Sequence, residues 1–291
     1  NMTYSEIWHR IATSYDDGEA RAIARILIEE LFGLSYADIV CGATEQLSAD
    51  DTLRLDTAVR RIEQGEPLQH VLGYADFCGN RFCVNGSVLI PRPETEWLVD
   101  EGAKLMSTTA APSPKRILDI GTGSGCIAIS LKIRLGDAYV EAWDISEEAL
   151  RTAQDNADAL KAEVMFCKRD ALRTENTAAP WDLIVSNPPY ICDSERSAMD
   201  DNVLLHEPHT ALFVPDDDPL RFYRAIARYA LLTLNTGGSL LFECNTRYAE
   251  ATGTMLRDMG FEEVTVSDDC FGLPRFVRGS SPSQPSPSGR A

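Results

Sequence analysis

The stretch that decides the fold of this 291-residue chain is Arg116-Ile117-Leu118-Asp119-Ile120-Gly121-Thr122-Gly123-Ser124-Gly125. Its first five residues form an apolar run of strand length, and a helical pattern begins at Cys126. A glycine-rich turn between a strand and a helix lets a ligand approach the backbone closely. The stretch therefore predicts the start of an α/β domain with a nucleoside-binding turn.

The spacing of the glycines separates two classes of nucleotide site. A dinucleotide site requires G-x-G-x-x-G, whose third glycine would stand where this chain has Cys126. The observed G-x-G-x-G suits a ligand without a pyrophosphate, such as S-adenosyl-L-methionine, and argues against a nicotinamide oxidoreductase. The expected cofactor contacts are Gly121, Thr122, Gly123, Ser124 and Gly125. A tight turn without a ligand is the alternative for an isolated glycine loop.

Strand-like and helix-like patterns alternate after residue 115. Apolar runs of strand length lie at 116–120, 138–143, 164–167, 181–186 and 238–244, with two further short strands near 263–267 and 275–278. Helical patterns lie at about 126–135, 146–160, 219–235 and 247–259. This alternation predicts a Rossmann-like α/β fold with a mostly parallel, seven-stranded sheet and helices on both faces.

Residues 1–72 have a different pattern, typical of short amphipathic helices. Two Ser/Asp pairs mark helix starts, Ser35 with Asp38 and Ser48 with Asp51. We predict a small N-terminal helical bundle without chemistry of its own, whose expected role is to hold a macromolecular substrate.

Residues 73–91 combine β-forming side chains with two turn signals, Gly79-Asn80 and Asn85-Gly86. The β-forming side chains are Phe77, Phe82, Val84, Val88, Leu89 and Ile90. They predict a β-hairpin linker, which Pro91-Arg92-Pro93 ends before a helix from Glu94 to Met106. The α/β domain would span 92–279, and residues 280–291, rich in Ser, Pro and Gly, would form a disordered tail.

Two acidic positions follow strands of the predicted sheet. Asp144 ends the second strand, where a carboxylate can accept hydrogen bonds from both ribose hydroxyls. Capping of the next helix is the alternative for Asp144, although Ser146 can supply that cap. Asp170-Ala171 follows the third strand and is placed to contact the adenine, with a solvated loop carboxylate as the alternative.

The run Asp182-Leu183-Ile184-Val185-Ser186 leads into Asn187-Pro188-Pro189-Tyr190, the motif that contains the candidate catalytic residues. Two prolines stiffen a turn that follows a parallel strand, where α/β sheets place their sites. The Asn187 amide oxygen and the Pro188 carbonyl could accept both hydrogens of an NH₂ group, and Tyr190 could stack on the flat group that carries it.

These acceptors suit methylation of an amide or ring nitrogen, whose lone pair is delocalised and weakly nucleophilic. Two acceptors orient the nitrogen and stabilise its developing positive charge. No strong base is required, because the methylated nitrogen sheds its proton readily. We therefore predict methyl transfer with Asn187, Pro188 and Tyr190 as catalytic residues and Asn187 also contacting the cofactor.

The composition of the chain limits the classes of partner that we expect it to bind. The formal net charge is −18, which disfavours an enzyme that grips nucleic-acid phosphates. The eight cysteines form no C-x-x-C pair, and the four histidines show no metal pattern, so no metal is expected. No apolar run is long enough to span a membrane and no signal segment is evident. We expect a cytoplasmic monomer without direct nucleic-acid or membrane contacts.

The motifs together resemble the HemK/PrmC family of protein-(glutamine-N5) methyltransferases over about residues 5 to 279. Besides the glycine loop and Asn187 to Tyr190, the resemblance rests on Pro67-Leu68-Gln69-His70-Val71-Leu72-Gly73 and on Val88-Leu89-Ile90-Pro91-Arg92-Pro93-Glu94-Thr95-Glu96. It implies an N-terminal helical domain, a hairpin linker and a seven-stranded methyltransferase domain.

The resemblance also implies a reaction. The methyl group of S-adenosyl-L-methionine would pass to N5 of the glutamine in the Gly-Gly-Gln motif of class 1 peptide chain release factors, leaving S-adenosyl-L-homocysteine and supporting translation termination. By motif match, Gly121 to Gly125 and Asp144 would bind the cofactor. Asn187, Pro188, Pro189 and Tyr190 would bind the glutamine.

The chain departs from the family pattern at His206-Glu207-Pro208, Val214 to Pro219, Glu243-Cys244-Asn245 and Leu273-Pro274-Arg275. These departures are expected to affect loops and partner contacts but not the chemistry. Two other functions are open: a nucleic-acid adenine-N6 methyltransferase, since the same turn would serve a flipped adenine, and a non-catalytic cofactor-binding module.

Overall fold

A computed structural model describes residues 2–109, 113–173, 180–199 and 201–282. The N-terminal elements are α1 (Tyr4–Ile11), α2 (Asp17–Phe32), α3 (Tyr36–Val40), a 3-10 turn (Ala43–Gln46), α4 (Ala49–Glu63) and α5 (Leu68–Leu72). A two-stranded sheet of β1 (Tyr74–Phe77) and β2 (Asn80–Cys83) follows.

The remaining elements are strands and helices, which alternate over much of the segment from 96 to 268, as predicted. In chain order they are a 3-10 turn (Pro93–Thr95), α6 (Glu96–Thr108), β3 (Arg116–Ile120), α7 (Cys126–Leu135), β4 (Tyr139–Asp144), α8 (Glu147–Ala159), β5 (Met165–Lys168), β6 (Trp181–Ser186), β7 (Ile191–Cys192), a 3-10 turn (Asp193–Ala198), α9 (Asp201–His206), a 3-10 turn (His209–Ala211), β8 (Phe213–Val214), α10 (Arg221–Thr233), β9 (Leu234–Glu243), a 3-10 turn (Thr246–Tyr248), α11 (Ala249–Asp258), β10 (Glu262–Asp268) and β11 (Pro274–Ser280).

The described residues form two compact units. The first contains the chain up to Tyr74 together with 199–207, and the second contains 75–198 and the chain from Pro208 onward. The division after Tyr74 lies two residues from the boundary predicted at 72. The assignment of 199–207 to the helical unit was not predicted, because no local pattern distinguishes this segment.

The first unit is a helical bundle with its own core. Its fully buried side chains come mainly from α1, α2 and α4 and include Ile7, Ile11, Leu27, Ile28, Val59 and Ile62. Arg10 joins α1 to α4, because its guanidinium donates to Glu63 at 2.8 and 2.7 Å and to Asp56 at 2.7 Å. The helix starts at Ser35 and Ser48 are confirmed: each side chain accepts from a backbone N–H three residues on.

The second unit is built on a seven-stranded sheet in the order β10-β11-β9-β6-β3-β4-β5. Strands β9, β6, β3, β4 and β5 are parallel, and β11 pairs antiparallel with both β9 and β10. The seven-stranded Rossmann-like sheet is thus confirmed in the described part of the chain. Since β3 lies between β4 and β6, the strand order reverses beside β3, which is where such sheets bind ligands.

Alternate residues of the central strands face opposite layers of helices. Ile117 and Val185 pack with α6, α7 and α8, whereas Leu118 and Ile184 pack with α10 and α11. Both faces are therefore covered, which explains why these strands read as continuous apolar runs. Burying each large aliphatic side chain contributes about 1.5–3 kcal/mol.

Two predictions for the linker and tail need correction. The hairpin is shorter than predicted, because Val84, Val88 and Ile90 are buried against Ala149 of α8 without forming a strand. Their apolar character therefore reflects packing. The predicted tail starts too early, since Ser280 is the last residue of β11 and pairs with Ser239. The rest of that prediction, from residue 283, lies outside the described residues.

Candidate active site

A cavity of about 360 Å³ lies at the carboxyl edge of the central sheet. Its lining includes most of the residues predicted for the site: Gly121, Thr122, Gly123, Ser124, Asp144, Asp170, Ala171, Asn187, Pro188 and Pro189. These residues follow β3, β4, β5 and β6, whose parallel order brings their ends together. Gly125 and Tyr190, also predicted, are not part of this lining.

The glycine loop after β3 has positive φ at all three glycines: 77° at Gly121, 54° at Gly123 and 80° at Gly125. A Cβ added at Gly121 or Gly123 would meet no atom within 4 Å, so these two positions keep the cavity wall open. A Cβ at Gly125 would lie 2.9 Å from Ile129 and 3.1 Å from Ala153. Helix packing therefore excludes a Cβ at Gly125, whereas Gly121 and Gly123 leave open space beside the cavity.

Asp144 lies at the end of β4 and faces the loop. Its Oδ2 accepts from the N–H of Gly123 at 2.9 Å, and its Oδ1 accepts from the N–H of Ser146 at 2.9 Å. Ser146 caps α8 by accepting from Ala149, so Asp144 is not needed for that cap. Burial raises the pKa of Asp144, and the backbone N–H bonds oppose this shift. Each oxygen keeps a lone pair for a hydroxyl donor.

Asp119 was not singled out from the sequence, although a carboxylate inside an apolar strand was an available signal. It is fully buried, and its Oδ2 accepts from Thr122 Oγ1 at 2.7 Å. Burial raises the pKa of Asp119 to about 7, since desolvation disfavours the charge. This contact fixes the glycine loop from below.

The segment after β5 contributes Asp170 and Ala171 to the cavity, next to Arg169. The Asp170 Oδ1 accepts from the N–H of Leu172 at 2.9 Å, which makes a local turn. The Arg169 guanidinium lies 5.0 Å from the ring centroid of Trp143. Asp170 is thus brought to the site, with part of its acceptor capacity used by its own turn.

Asn187 and Pro188 present the two predicted acceptors. The Asn187 Oδ1 is buried and accepts no hydrogen bond from the described residues. Among the same residues, no backbone hydrogen bond ends on the carbonyl oxygen of Pro188. Ser186 Oγ donates to the Ile120 carbonyl at 2.6 Å and so joins the ends of β6 and β3. Two unused acceptors therefore stand beside the glycine loop.

Tyr190 is not part of the cavity lining, and its hydroxyl is held by a buried carboxylate. Its hydroxyl donates to Glu243 Oε1 at 3.4 Å, and Thr95 Oγ1 donates to Glu243 Oε2 at 2.7 Å. The Asn187 Nδ2 in turn donates to Thr95 Oγ1 at 3.5 Å. Sequence reasoning missed Thr95 and Glu243 as site residues, although a glutamate closing the apolar run Leu240-Leu241-Phe242 was a usable signal.

Within the described ranges, no group of three or more His, Cys, Asp or Glu side chains could hold a metal ion. In the same ranges, no helix combines the length and apolarity needed to cross a membrane.

The residues of the cavity fit an S-adenosylmethionine-type ligand. Gly121 and Gly123 leave the wall free of side chains, and Asp144 keeps acceptor capacity for ribose hydroxyls. The acceptor pair of Asn187 and Pro188 adjoins the same cavity. The arrangement can hold a nucleoside and orient a nitrogen that carries two hydrogens.

Two family models match the chain. The PrmC N-terminal domain matches residues 9–73, and the methyltransferase small domain matches residues 96–212. The two models thus match, respectively, most of the helical unit and the part of the second unit that contains the glycine loop and Asn187.

Comparisons with whole proteins agree with the matches to the two family models. A release factor glutamine methyltransferase of Bacteroides thetaiotaomicron is 44% identical over 90% of this chain and 93% of its own length. One of Flavobacterium psychrophilum is 38% identical over 92% of this chain and 94% of its own. The fold resembles that of the hMettl16 catalytic domain in complex with MAT2A 3′UTR hairpin 6, with a TM-score of 0.56, 17% identity and coverage of 82% of this chain and 84% of that one. The sequence similarity over nearly the whole chain shows that it belongs to the release factor glutamine methyltransferase family.

Proposed function

We propose that this enzyme transfers the methyl group of S-adenosyl-L-methionine to N5 of the glutamine in the Gly-Gly-Gln motif of class 1 peptide chain release factors. The observation that carries the proposal is the pair of unused acceptors, Asn187 Oδ1 and the Pro188 carbonyl, beside the cavity of the glycine loop. A primary amide offers two N–H donors that match this pair.

Each part of the cavity has a proposed role. Gly121 and Gly123 admit the cofactor to the backbone, Asp144 accepts from its ribose, and Asp170 and Ala171 border its adenine. When bound, S-adenosyl-L-methionine supplies an electrophilic methyl group, and S-adenosyl-L-homocysteine is the product. Gly121, Gly123 and Asp144 would thus hold the cofactor, and Asn187 and Pro188 would hold the substrate amide.

Asn187 and Pro188 act on the nitrogen. By accepting its two hydrogens they restrict rotation of the amide and direct the nitrogen lone pair towards the cavity. Their oxygen dipoles stabilise the positive charge that develops on nitrogen as the new N–C bond forms. The nitrogen then releases one proton to water, so the chain needs no dedicated base. Pro189 keeps the turn rigid.

Tyr190 is absent from the cavity lining, and its hydroxyl donates to Glu243. We therefore assign Tyr190 a role in holding the turn formed by Asn187 to Tyr190, the NPPY turn, and propose no stacking on the substrate amide. Because release factors act at the ribosome, the proposed reaction takes place in the cytoplasm. We further propose that the enzyme acts as a monomer, since the cavity is lined by one unit of a single chain.

The test is methyl transfer from labelled S-adenosyl-L-methionine to purified release factor, to its variant with Ala for the glutamine of Gly-Gly-Gln, and to duplex DNA. Label on the wild-type release factor alone is expected. Asn187→Ala should lower the rate by about 100-fold or more, whereas Gln154→Ala, an exposed amide on α8, should not change it. Label on DNA alone would favour an adenine-N6 enzyme and overturn the proposed substrate.

A further inference from the structure

The two ends of the NPPY turn are tied to one buried carboxylate. Glu243 ends β9 and is 1% exposed. Its two oxygens accept from different donors, Oε2 from Thr95 Oγ1 at 2.7 Å and Oε1 from Tyr190 OH at 3.4 Å. Burial raises the pKa of Glu243, whereas the hydrogen bond from Thr95 and the nearby Arg275 charge oppose this shift. In its ionised form the carboxylate can only accept hydrogen bonds.

The hydrogen bond to Glu243 decides what Thr95 can do next. A hydroxyl group has one hydrogen, and Thr95 uses it on Glu243. Towards Asn187, Thr95 Oγ1 can therefore only accept, and it lies 3.5 Å from Asn187 Nδ2. Long hydrogen bonds of this kind are common in catalytic sites without substrate.

The same logic fixes the orientation of the Asn187 amide. The oxygen and nitrogen of an amide have nearly the same shape, so only hydrogen bonds distinguish its two orientations. Since the NH₂ group faces Thr95, Oδ1 is the atom left without a partner among the described residues. The reversed amide would present an NH₂ group to the NH₂ group of the substrate, and two donors cannot bond.

A second set of hydrogen bonds holds the other end of the NPPY turn, at Tyr190. The Tyr190 carbonyl accepts from Asn245 Nδ2 at 3.1 Å, and Asn245 also donates to Glu195. Glu195 accepts from the N–H of Cys192 at 2.8 Å. Tyr190 is thus fixed through both its hydroxyl and its backbone, so the turn that carries Asn187 has little freedom.

We propose that Thr95 and Glu243 are positioning residues that hold the Asn187 amide with its oxygen towards the cavity, as the acceptor for a substrate N–H. This inference rests on the proposed role of Asn187 in binding the substrate amide. It gives a function to the Thr95 of the Pro91 to Glu96 segment. It also links Asn245, one of the departures from the family pattern, to the turn that carries Asn187.

Protonation of Glu243 should lower the rate in the same way as replacing its carboxylate by mutation. Burial and Glu94 raise the pKa of this carboxyl, whereas Thr95, Arg275 and Tyr190 lower it. A protonated Glu243 can donate to Thr95, whose hydrogen is then free to turn towards Asn187. The rate should therefore fall as the pH falls, with an acid limb above the ordinary glutamate pKa.

The test compares Thr95→Val, Thr95→Ser and Glu243→Gln in the full chain, with Thr108→Val on the exposed face of α6 as the matched control. Valine keeps the shape of threonine without its hydroxyl, and serine keeps the hydroxyl. Glutamine at 243 can donate to Thr95 and so favours the reversed Asn187 amide. The readouts are kcat and KM for the release factor, cofactor Kd by calorimetry, melting temperature and the pH profile of kcat.

We expect Thr95→Val and Glu243→Gln to lower kcat by about 30–100-fold, with cofactor Kd within about threefold. Thr95→Ser should retain at least a third of the activity, Thr108→Val all of it, and Glu243→Gln should lose the acid limb. Equal losses for Ser and Val at 95, or an unchanged acid limb in Glu243→Gln, would overturn the inference.

Failure of the proposed function is a separate outcome. It would be seen with the unmutated enzyme, as label on DNA or on the Gln→Ala release factor. In that case the order of the same variants, measured on the acceptor that is labelled, still decides the role of Thr95 and Glu243.

Discussion

Gly125 is the residue whose replacement tests the packing of the glycine loop most directly. Its φ is 80°, in a region that L-residues enter at a cost of about 1–2 kcal/mol. The Cβ of an alanine would also lie 2.9 Å from Ile129 Cδ1 and 3.1 Å from Ala153 Cβ. Overpacking of this kind costs about 1–3 kcal/mol. Gly125→Ala should therefore reduce the free energy of unfolding by about 2–5 kcal/mol.

Gly121 provides the matched control. Its φ is 77°, almost that of Gly125, but an added Cβ would meet no atom within 4 Å. Gly121→Ala should therefore show only the backbone strain of about 1–2 kcal/mol. The difference between the two variants isolates the steric conflict with Ile129 and Ala153.

Tryptophan fluorescence during chemical and thermal unfolding provides the assay, since Trp97, Trp143 and Trp181 lie in the second unit. For a unit of this size, 1 kcal/mol corresponds to about 2–4 °C in Tm. Gly125→Ala should thus melt about 2–12 °C below Gly121→Ala. Adding Ala153→Gly should show a favourable coupling with Gly125→Ala in a double-mutant cycle. Equal stability of the two alanine variants, or no coupling, would refute the steric argument.

Three further predictions concern the same unit. Because burial raises the pKa of Asp119 to about 7, the folded state binds the proton of this carboxyl more tightly than the unfolded chain does. The free energy of unfolding should therefore fall as the pH rises from about 4 to 7, by up to about 1.4 kcal/mol per pH unit. Urea titrations should show this slope in the unmutated protein and not in Asp119→Asn. Asn156 accepts from Cys83 N–H at 2.7 Å and donates to the Ser124 carbonyl at 2.9 Å, so Asn156→Leu should destabilise the unit by about 2–4 kcal/mol in the same titrations, and a loss below 0.5 kcal/mol would contradict this. Asp144→Ala should weaken cofactor binding in calorimetry by about 10-fold or more through lost hydroxyl acceptors, while release-factor binding that weakens equally would argue against a ribose contact.

Local patterns determined most of the second unit. The bounds of β3, α7 and β6 agree with the sequence-based ranges to the residue, because apolar runs, glycine turns and prolines act within a few residues of each other. The glycine loop, Asp144 and the NPPY turn could be identified in the same way, since each directly follows a strand. The assignment of their ligands stays a prediction.

Tertiary structure decided how the site is held. Glu243 reaches Thr95 across 148 positions of the chain, and Asn187 reaches Thr95 across 92. Nothing in the local sequence pairs these residues, because the sheet order places β9 beside β6 and the 3-10 turn at Thr95 near both only after folding. The amino-acid sequence alone thus determined which side chains and carbonyl groups are candidates for the chemistry. The direction in which the Asn187 amide faces depends on hydrogen bonds that exist only in the folded protein.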